Sequence, residues 1–369
     1  MKILHLINTL EAGGAERLVA GLAPLQAAAG HSVTVAASSG RGSVFGAPLE
    51  SDGVDVVYLS REGSPRNPGL VAKMAALFDQ LKPDIVHVHL FPAQYFAALA
   101  SRFARHKPIL VTTEHSIGNR RIGRPSWRLI ERAVYSRYRA IAAVGEDVAL
   151  VYAEWTGLGA RIGTIPNGIN VSAFSRQTDR DRREDTRKSL GFDATDRVIG
   201  WVGRMAAPKR PADLVKALSG LPKGVCAVIV GDGPLRNETE ALAASLGLTK
   251  RLRFLGERKD IPELLASFDA FVLSSDYEGF GLAAVEAMAA GLPVFLADIP
   301  PLRSIAGEAG RYFPPGDDRT LAATLRAAAA DPESEAARVA IGRTRAAGMD
   351  IKNCAAAYLD LYENLLRRR

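Results

Sequence analysis

Residues 278–294 read EGFGLAAVEAMAAGLPV, two glutamates eight positions apart around a Gly-Phe-Gly turn. Apolar residues from Leu282 to Ala290 surround Glu286 on every helical face, so the spacing predicts a helix that is buried rather than amphipathic. A carboxylate in such a place must accept hydrogen bonds, from a structural donor or from a ligand. Gly279 and Gly281 favour the ligand, because they let the backbone pass close to something at a helix N-terminus, where free amides and the helix dipole attract anions. Ala270–Leu273 before this stretch and Val294–Ala297 at its end read as short apolar strands, so the segment is a strand, a buried helix and another strand.

The same alternation runs outward in both directions. Ile3–Ile7, Val33–Ala37, Val54–Tyr58, Ile85–His89, Ile109–Thr113 and Ile141–Val144 are strands of a first half. Val198–Val202, Val225–Val230, Leu252–Phe254, Ala270–Leu273 and Val294–Ala297 are strands of a second, with helices filling the gaps in both. The pattern predicts an α/β protein with two doubly wound parallel sheets. A chain of 369 residues is also longer than one core usually holds. The join falls near Asn170: domains are expected over 1–170 and 171–351, followed by a C-terminal helix about 352–369, clearest from Ala355 to Leu366. The charged run Ser175–Arg197 suits an exposed connection and first helix.

An apolar fraction of 47% and a charged fraction of 24% are ordinary for a soluble protein. No apolar run approaches the roughly 18 residues of a spanning helix. MKILHLINTL at the start reads as a buried strand and not as a signal peptide. Cys226 and Cys354 form neither a disulfide framework nor a metal cluster, which fits a reducing cytoplasm. The net charge of +7 is local: Arg102, Arg105, Lys107, Arg120, Arg121, Arg124, Arg128, Arg132, Arg137 and Arg139 face only Glu114 and Glu131. Phe103, Trp127, Tyr135 and Tyr138 are interleaved with them. Segment 102–139 therefore suits an anionic membrane surface or a phosphorylated, lipid-linked acceptor, with a plain solvated face as the alternative. No nucleic-acid-binding motif accompanies it.

Ligands of parallel sheets sit beyond the carboxyl ends of the strands. There the chain is polar and Gly-rich. Gly13 and Gly14 follow the first strand and open a helix expected from near Ala15 to Gly30; their turn either touches a phosphate or is simply tight. Gly203, Arg204, Lys209 and Arg210 follow Val202, cations placed to bracket a diphosphate. Gly231, Asp232, Gly233 and Pro234 follow Val230, as a turn or as part of the same site. Asp179-Arg180-Asp181 spells a metal-binding string but lies in the charged connector, so no metal is assigned there. His87 and His89 point to one sheet face and, with His115, imitate a zinc triad; satisfied histidines beside an acceptor site are the preferred reading. Neither Gly13-Gly14 nor Gly231-Asp232-Gly233 continues into a dinucleotide fingerprint.

Taken in order, GGAER at Gly13–Arg17, PDIVHVH at Pro83–His89, EHS at Glu114–Ser116, IPNGIN at Ile165–Asn170, VGR with Lys209, GDGP at Gly231–Pro234, FLGER at Phe254–Arg258 and the paired Glu278 and Glu286 resemble the retaining glycosyltransferases numbered family 4, over nearly the whole chain. The resemblance implies the GT-B fold, two Rossmann-like domains facing across a cleft, the first on the acceptor side and rejoined by the C-terminal helix about 352–369, the second binding a nucleotide sugar. It implies that Arg204 and Lys209 hold the donor diphosphate and that Glu286 accepts the ribose hydroxyls. Glu278 would face the sugar, and the amides of Phe280, Gly281 and Leu282 would add anion stabilisation. Gly14 would approach the sugar phosphate, Gly231, Gly233 and Arg258 would flank the nucleoside, and His115 would lie by the transferred sugar. Catalysis would be electrostatic and metal-independent, needing no cofactor beyond the nucleotide-diphosphate sugar, UDP-linked by preference and GDP-linked otherwise. The acceptor would be lipid-linked or a polysaccharide precursor, met at the cytoplasmic face of a membrane. Gly145, where a serine is frequent, and Pro300-Pro301, in place of a Gly-containing turn, depart from the pattern. A nucleotide-sugar epimerase of related architecture, or a non-catalytic nucleotide-sugar-binding protein, are the alternatives.

Overall fold

The computed structural model describes residues 1–11, 13–118, 121–175 and 180–368. They divide into two compact units, Met1–Gly168 with Ile351–Arg369, and Ile169–Asp350.

In the first unit the strands are β1 (Lys2–Ile7), β2 (Ser32–Ala37), β3 (Asp55–Tyr58), β4 (Ile85–His89), β5 (Ile109–Glu114), β6 (Ala140–Ala143) and β7 (Ile162–Thr164), in the order β3-β2-β1-β4-β5-β6-β7. Every pairing is parallel. All five residues of β4 are buried, as a strand covered on both faces requires. The strand order reverses between β1 and β4, which are paired with His5 opposite His87. β7 is absent from the sequence reading because three residues at an edge, one half-buried and two exposed, carry no apolar run. The first helix spans Gly14–Ala28, and Gly30 follows it at φ 87°.

The second unit holds β8 (Arg197–Val202), β9 (Val225–Val230), β10 (Leu252–Phe254), β11 (Ala270–Leu273), β12 (Val294–Ala297) and β13 (Gly310–Phe313), ordered β10-β9-β8-β11-β12-β13 and again all parallel. Here the order reverses between β8 and β11. β13 was also unread: GRYF begins on a glycine and has one charged and one polar aromatic residue in its middle. Both units are thus doubly wound parallel sheets, as the alternating pattern predicts.

The helix Ile351–Arg367 packs on the first unit through Ile351, Cys354, Ala355, Tyr358 and Tyr362. The charged segment after 175 carries a helix, Arg180–Ser189, in which Arg187 binds Asp269 at 2.6 Å and Ser267 O at 2.8 Å. Asp179 lies outside the described residues. No helix among those described is long and apolar enough to cross a membrane.

The basic segment is less of a free surface than its composition implies. Tyr135 and Tyr138 are fully buried. Arg121 is paired with the buried Glu131 at 2.7 Å and stacks over Phe91, while Lys107 is spent on the carbonyls ending the helix Ala93–Phe103. The tyrosines are inward members of an amphipathic pattern, so their spacing reports core and not membrane contact. Still exposed are Phe103, Leu129 and Ile130 together with Arg102, Arg105, Arg124, Arg128, Arg132, Arg137 and Arg139, and Leu150 is exposed on the adjacent helix Glu146–Thr156.

Candidate functional site

The second unit gathers its candidate residues at the carboxyl ends of the strands where the order reverses. β8 runs into Gly203 and Arg204, then a short 3-10 turn, Ala207–Lys209. β11 runs into Ser274, Ser275 and Glu278. The two loops are tied by an ion pair, Lys209 Nζ to Glu278 Oε2 at 2.6 Å, and the other carboxylate oxygen accepts from Ser275 Oγ at 2.7 Å. Glu278 is nearly buried and Lys209 partly exposed. An ammonium has three N–H donors, so Lys209 keeps capacity for a second anion.

Arg204 is exposed, and among the described residues no carboxylate pairs with it. Arg210 is different. It stands at φ 47°, binds Asp213 at 2.7 Å and reaches Asp276 at 3.3 Å, and Asp213 is buried and also accepts from Gly316 N. The sequence reading set Arg210 beside Arg204 and Lys209 as a diphosphate cation; the structure commits it to joining two loops.

Gly281 caps the helix Leu282–Ala289 at φ 98°, and a Cβ there would meet Leu302 Cδ2 at 2.7 Å. Only glycine turns the chain this way while staying close to the neighbouring helix. The first turn therefore presents amides without intrahelical acceptors beside Phe280 and Leu282. Glu286 is 5% exposed on this helix. Gly231, at φ 122°, and Gly233, at φ 155°, pack against the loop after β8: a Cβ on Gly231 would lie 1.9 Å from Gly203 O, and one on Gly233 would lie 2.5 Å from Met205 O. Gly231 N also donates to Gly256 O at 2.7 Å, so three loops meet backbone to backbone. Arg258 beside them is exposed and paired with Asp260.

Gly14 and His115 belong to the first unit. Gly14 opens the first helix; a Cβ on Gly13 would lie 2.1 Å from Glu16 Oε2, so a buried carboxyl, its pKa raised by desolvation, already occupies that turn. His115 follows β5 and is joined to His89, Nε2 to Nδ1, at 3.2 Å. The histidine grouping differs from the His87-His89-His115 set that the sequence suggested as a zinc look-alike and set aside. His5, unread in the sequence, joins His87 and His89, with ligand-capable atoms all within 4.8 Å of one another, and His115 is attached through His89 alone. Burial lowers the pKa of all four, His5 and His115 to about 4, so they are neutral at pH 7. The period-2 spacing of His87 and His89 was visible; His5 needed the pairing of β1 with β4. Glu114, one residue before His115, is buried and its pKa is raised to about 7 by desolvation, against hydrogen bonds from Tyr135 and Gln94, each at 2.6 Å.

A family model described as Glycosyltransferase Family 4 matches residues 12–173, and one described as Glycosyl transferases group 1 matches residues 182–345. The UDP-Gal:alpha-D-GlcNAc-diphosphoundecaprenol alpha-1,3-galactosyltransferase of Escherichia coli is 31% identical over 252 residues, 63% of this chain and 64% of that protein. The phosphatidyl-myo-inositol mannosyltransferase of Mycolicibacterium smegmatis is 28% identical over 96% of this chain and 90% of its own. The fold matches that of HepE from Anabaena, solved with UDP-glucose, with a TM-score of 0.87 and 24% identity over 99% of this chain and 100% of that one. The chain belongs to the family 4, group 1 glycosyltransferases and has their GT-B architecture of two Rossmann-like domains.

Proposed function

We propose that the protein transfers a hexose, with retention of configuration and without a metal, from a UDP-sugar to a lipid-linked or polysaccharide-type acceptor. The observation that carries the donor site is the arrangement at the β8/β11 reversal: an exposed Arg204 with no carboxylate partner among the described residues, and Lys209 anchored by Glu278 on the loop that leads into the Glu286 helix. Arg204 and Lys209 bind the diphosphate. The amides of Phe280, Gly281 and Leu282 add to the field that stabilises charge on the departing diphosphate. Glu286 takes the ribose hydroxyls, and Gly231, Gly233 and Arg258 border the nucleoside. In the first unit, Gly14 is assigned to the sugar phosphate and His115 to the transferred sugar.

Both oxygens of Glu278 already accept hydrogen bonds, which suits a carboxylate that orients a lysine and a sugar better than a nucleophile. Retention then follows from attack on the face the diphosphate leaves, with a donor phosphate oxygen as base. Glu278→Gln is expected to keep a measurable turnover. Its complete loss, with UDP binding intact, would restore the nucleophilic mechanism.

The acceptor reading is supported by the exposed apolar side chains Phe103, Leu129, Ile130 and Leu150 among exposed arginines, and by the lipid-linked acceptors in the names of the two relatives. It places the enzyme peripherally at the cytoplasmic face of a membrane.

The deciding experiment titrates UDP, GDP and ADP calorimetrically into the wild type and into Glu286→Ala. Selective binding of UDP, lost in the variant, supports the reading; equal binding of all three, or none, overturns it.

A further inference from the structure

The first unit contains a continuous line of hydrogen bonds that no role above uses. Gln26 Oε1 lies 2.7 Å from His5 Nε2, His5 Nδ1 lies 3.3 Å from His89 Nε2, and His89 Nδ1 lies 3.2 Å from His115 Nε2. Gln26, His5 and His89 are sealed from solvent, and His115 Nδ1 is buried with no hydrogen-bond partner among the described residues. A neutral imidazole has one N–H and one lone pair. An amide oxygen only accepts, so the proton of His5 is on Nε2 and its Nδ1 is a lone pair. His89 must then donate from Nε2 and accept at Nδ1, and His115 must donate from Nε2. Each ring fixes the next, and the sequence ends with a bare lone pair at His115 Nδ1.

We propose that Gln26, His5 and His89 are positioning residues that hold His115 in its Nε2–H tautomer, making its Nδ1 an obligate acceptor for a hydroxyl of the transferred sugar. This rests on the reading of His115 as a sugar-facing residue. The orientation of Gln26 decides the outcome, because turned over it would donate to His5 and put the proton of every ring on the other nitrogen. The orientation described is the one the structure has, with Oε1 towards His5 and Nε2 buried without a hydrogen-bond partner among the described residues; the Tyr362 hydroxyl lies 2.6 Å from His87 Nδ1. A metal is the competing use of these rings. His87 argues against it, since Nδ1 faces Tyr362 and Nε2 faces Thr113 Oγ1 at 2.7 Å, leaving no nitrogen of that ring without a partner.

The test is the tautomer itself, read from long-range 15N–1H correlations of the histidine rings in the intact protein at pH 7, beside elemental analysis for zinc. His5, His89 and His115 should all be neutral with the proton on Nε2. A proton on His115 Nδ1, a charged ring, or stoichiometric zinc overturns the proposal. Gln26→Leu, close in volume, should leave His115 with mixed tautomers and lower kcat roughly tenfold, the rate equivalent of one hydrogen bond, with little change in UDP affinity. An unchanged His115 spectrum in that variant also overturns it. The two readings separate cleanly: the predicted tautomers with full activity in His115→Ala would leave the chain standing and remove His115 from the sugar site.

Discussion

Arg204 and Arg210 follow the same strand and carry the same charge, yet their surroundings give them different work. Arg204→Ala removes an exposed cation that no carboxylate among the described residues neutralises. It should weaken UDP binding by at least roughly tenfold, as loss of a charged hydrogen bond does, and leave the melting temperature in place. Arg210→Ala should do the reverse. It strips the partner from buried Asp213, a cost of about 1 kcal/mol for this partly exposed pair, and should lower the melting temperature while UDP affinity stays near wild type. Calorimetric titration and thermal unfolding of both variants check this, and a binding defect in Arg210→Ala would return it to the donor site. Sequence position alone did not separate these arginines, because the discriminating partners, Asp213 and Asp276, reach Arg210 through a backbone turn in the left-handed region. Ser275 was missed for a similar reason: its hydroxyl matters only once Glu278 folds back upon it.

At the scale of elements, the sites were legible wherever glycine or a buried charge broke an apolar pattern. Glu286 inside LAAVEAMAA was such a break. Strands of four or more apolar residues were equally plain, whereas β7 and β13, short and at edges, had no periodicity to read. Gly231→Ala should be severe, because a Cβ would collide with the Gly203 carbonyl at a φ that side chains avoid. A loss of roughly 3 kcal/mol or more of stability is expected in chemical denaturation. Glu114 gives its element a pH signature. Its folded pKa of about 7 exceeds the ordinary 4.5, so the native state holds the proton more tightly and stability falls as pH rises from about 4.5 to 7. The buried histidines work oppositely. Their depressed pKa values add stability as pH rises from about 4 to 6.5, so only the difference between wild type and Glu114→Gln isolates the carboxyl. The variant should gain on the wild type across the Glu114 window by up to roughly 3 kcal/mol, from a shift of about two and a half pKa units. A flat difference would show that Glu114 is ionised without penalty.

For the whole molecule, two separate cores imply two unfolding events. Scanning calorimetry should resolve two transitions, and UDP at a hundredfold excess over its Kd should raise only the one belonging to Ile169–Asp350, adding about 2.7 kcal/mol. Removing residues 351–369 should abolish the other transition, because Tyr358 and Tyr362 are fully buried there and bond Thr113 and His87. Loss of both transitions would mean that the units do not fold independently. This organisation was readable in outline: the alternation of strands and helices gave two sheets, while the return of the last helix to the first came from the family resemblance and not from the residues, because the contacts that fix it lie hundreds of positions away.

That last helix also sets an order of events during synthesis. The ribosome delivers Met1–Gly168 first, but the layer that roofs its histidines is encoded after the whole of the second unit. The later-made unit can therefore reach its final form while the earlier one waits, open along one face, for Ile351–Arg367 to emerge. A nascent chain stalled before residue 351 should bind chaperones through that open face, and release should coincide with the arrival of Tyr358 and Tyr362.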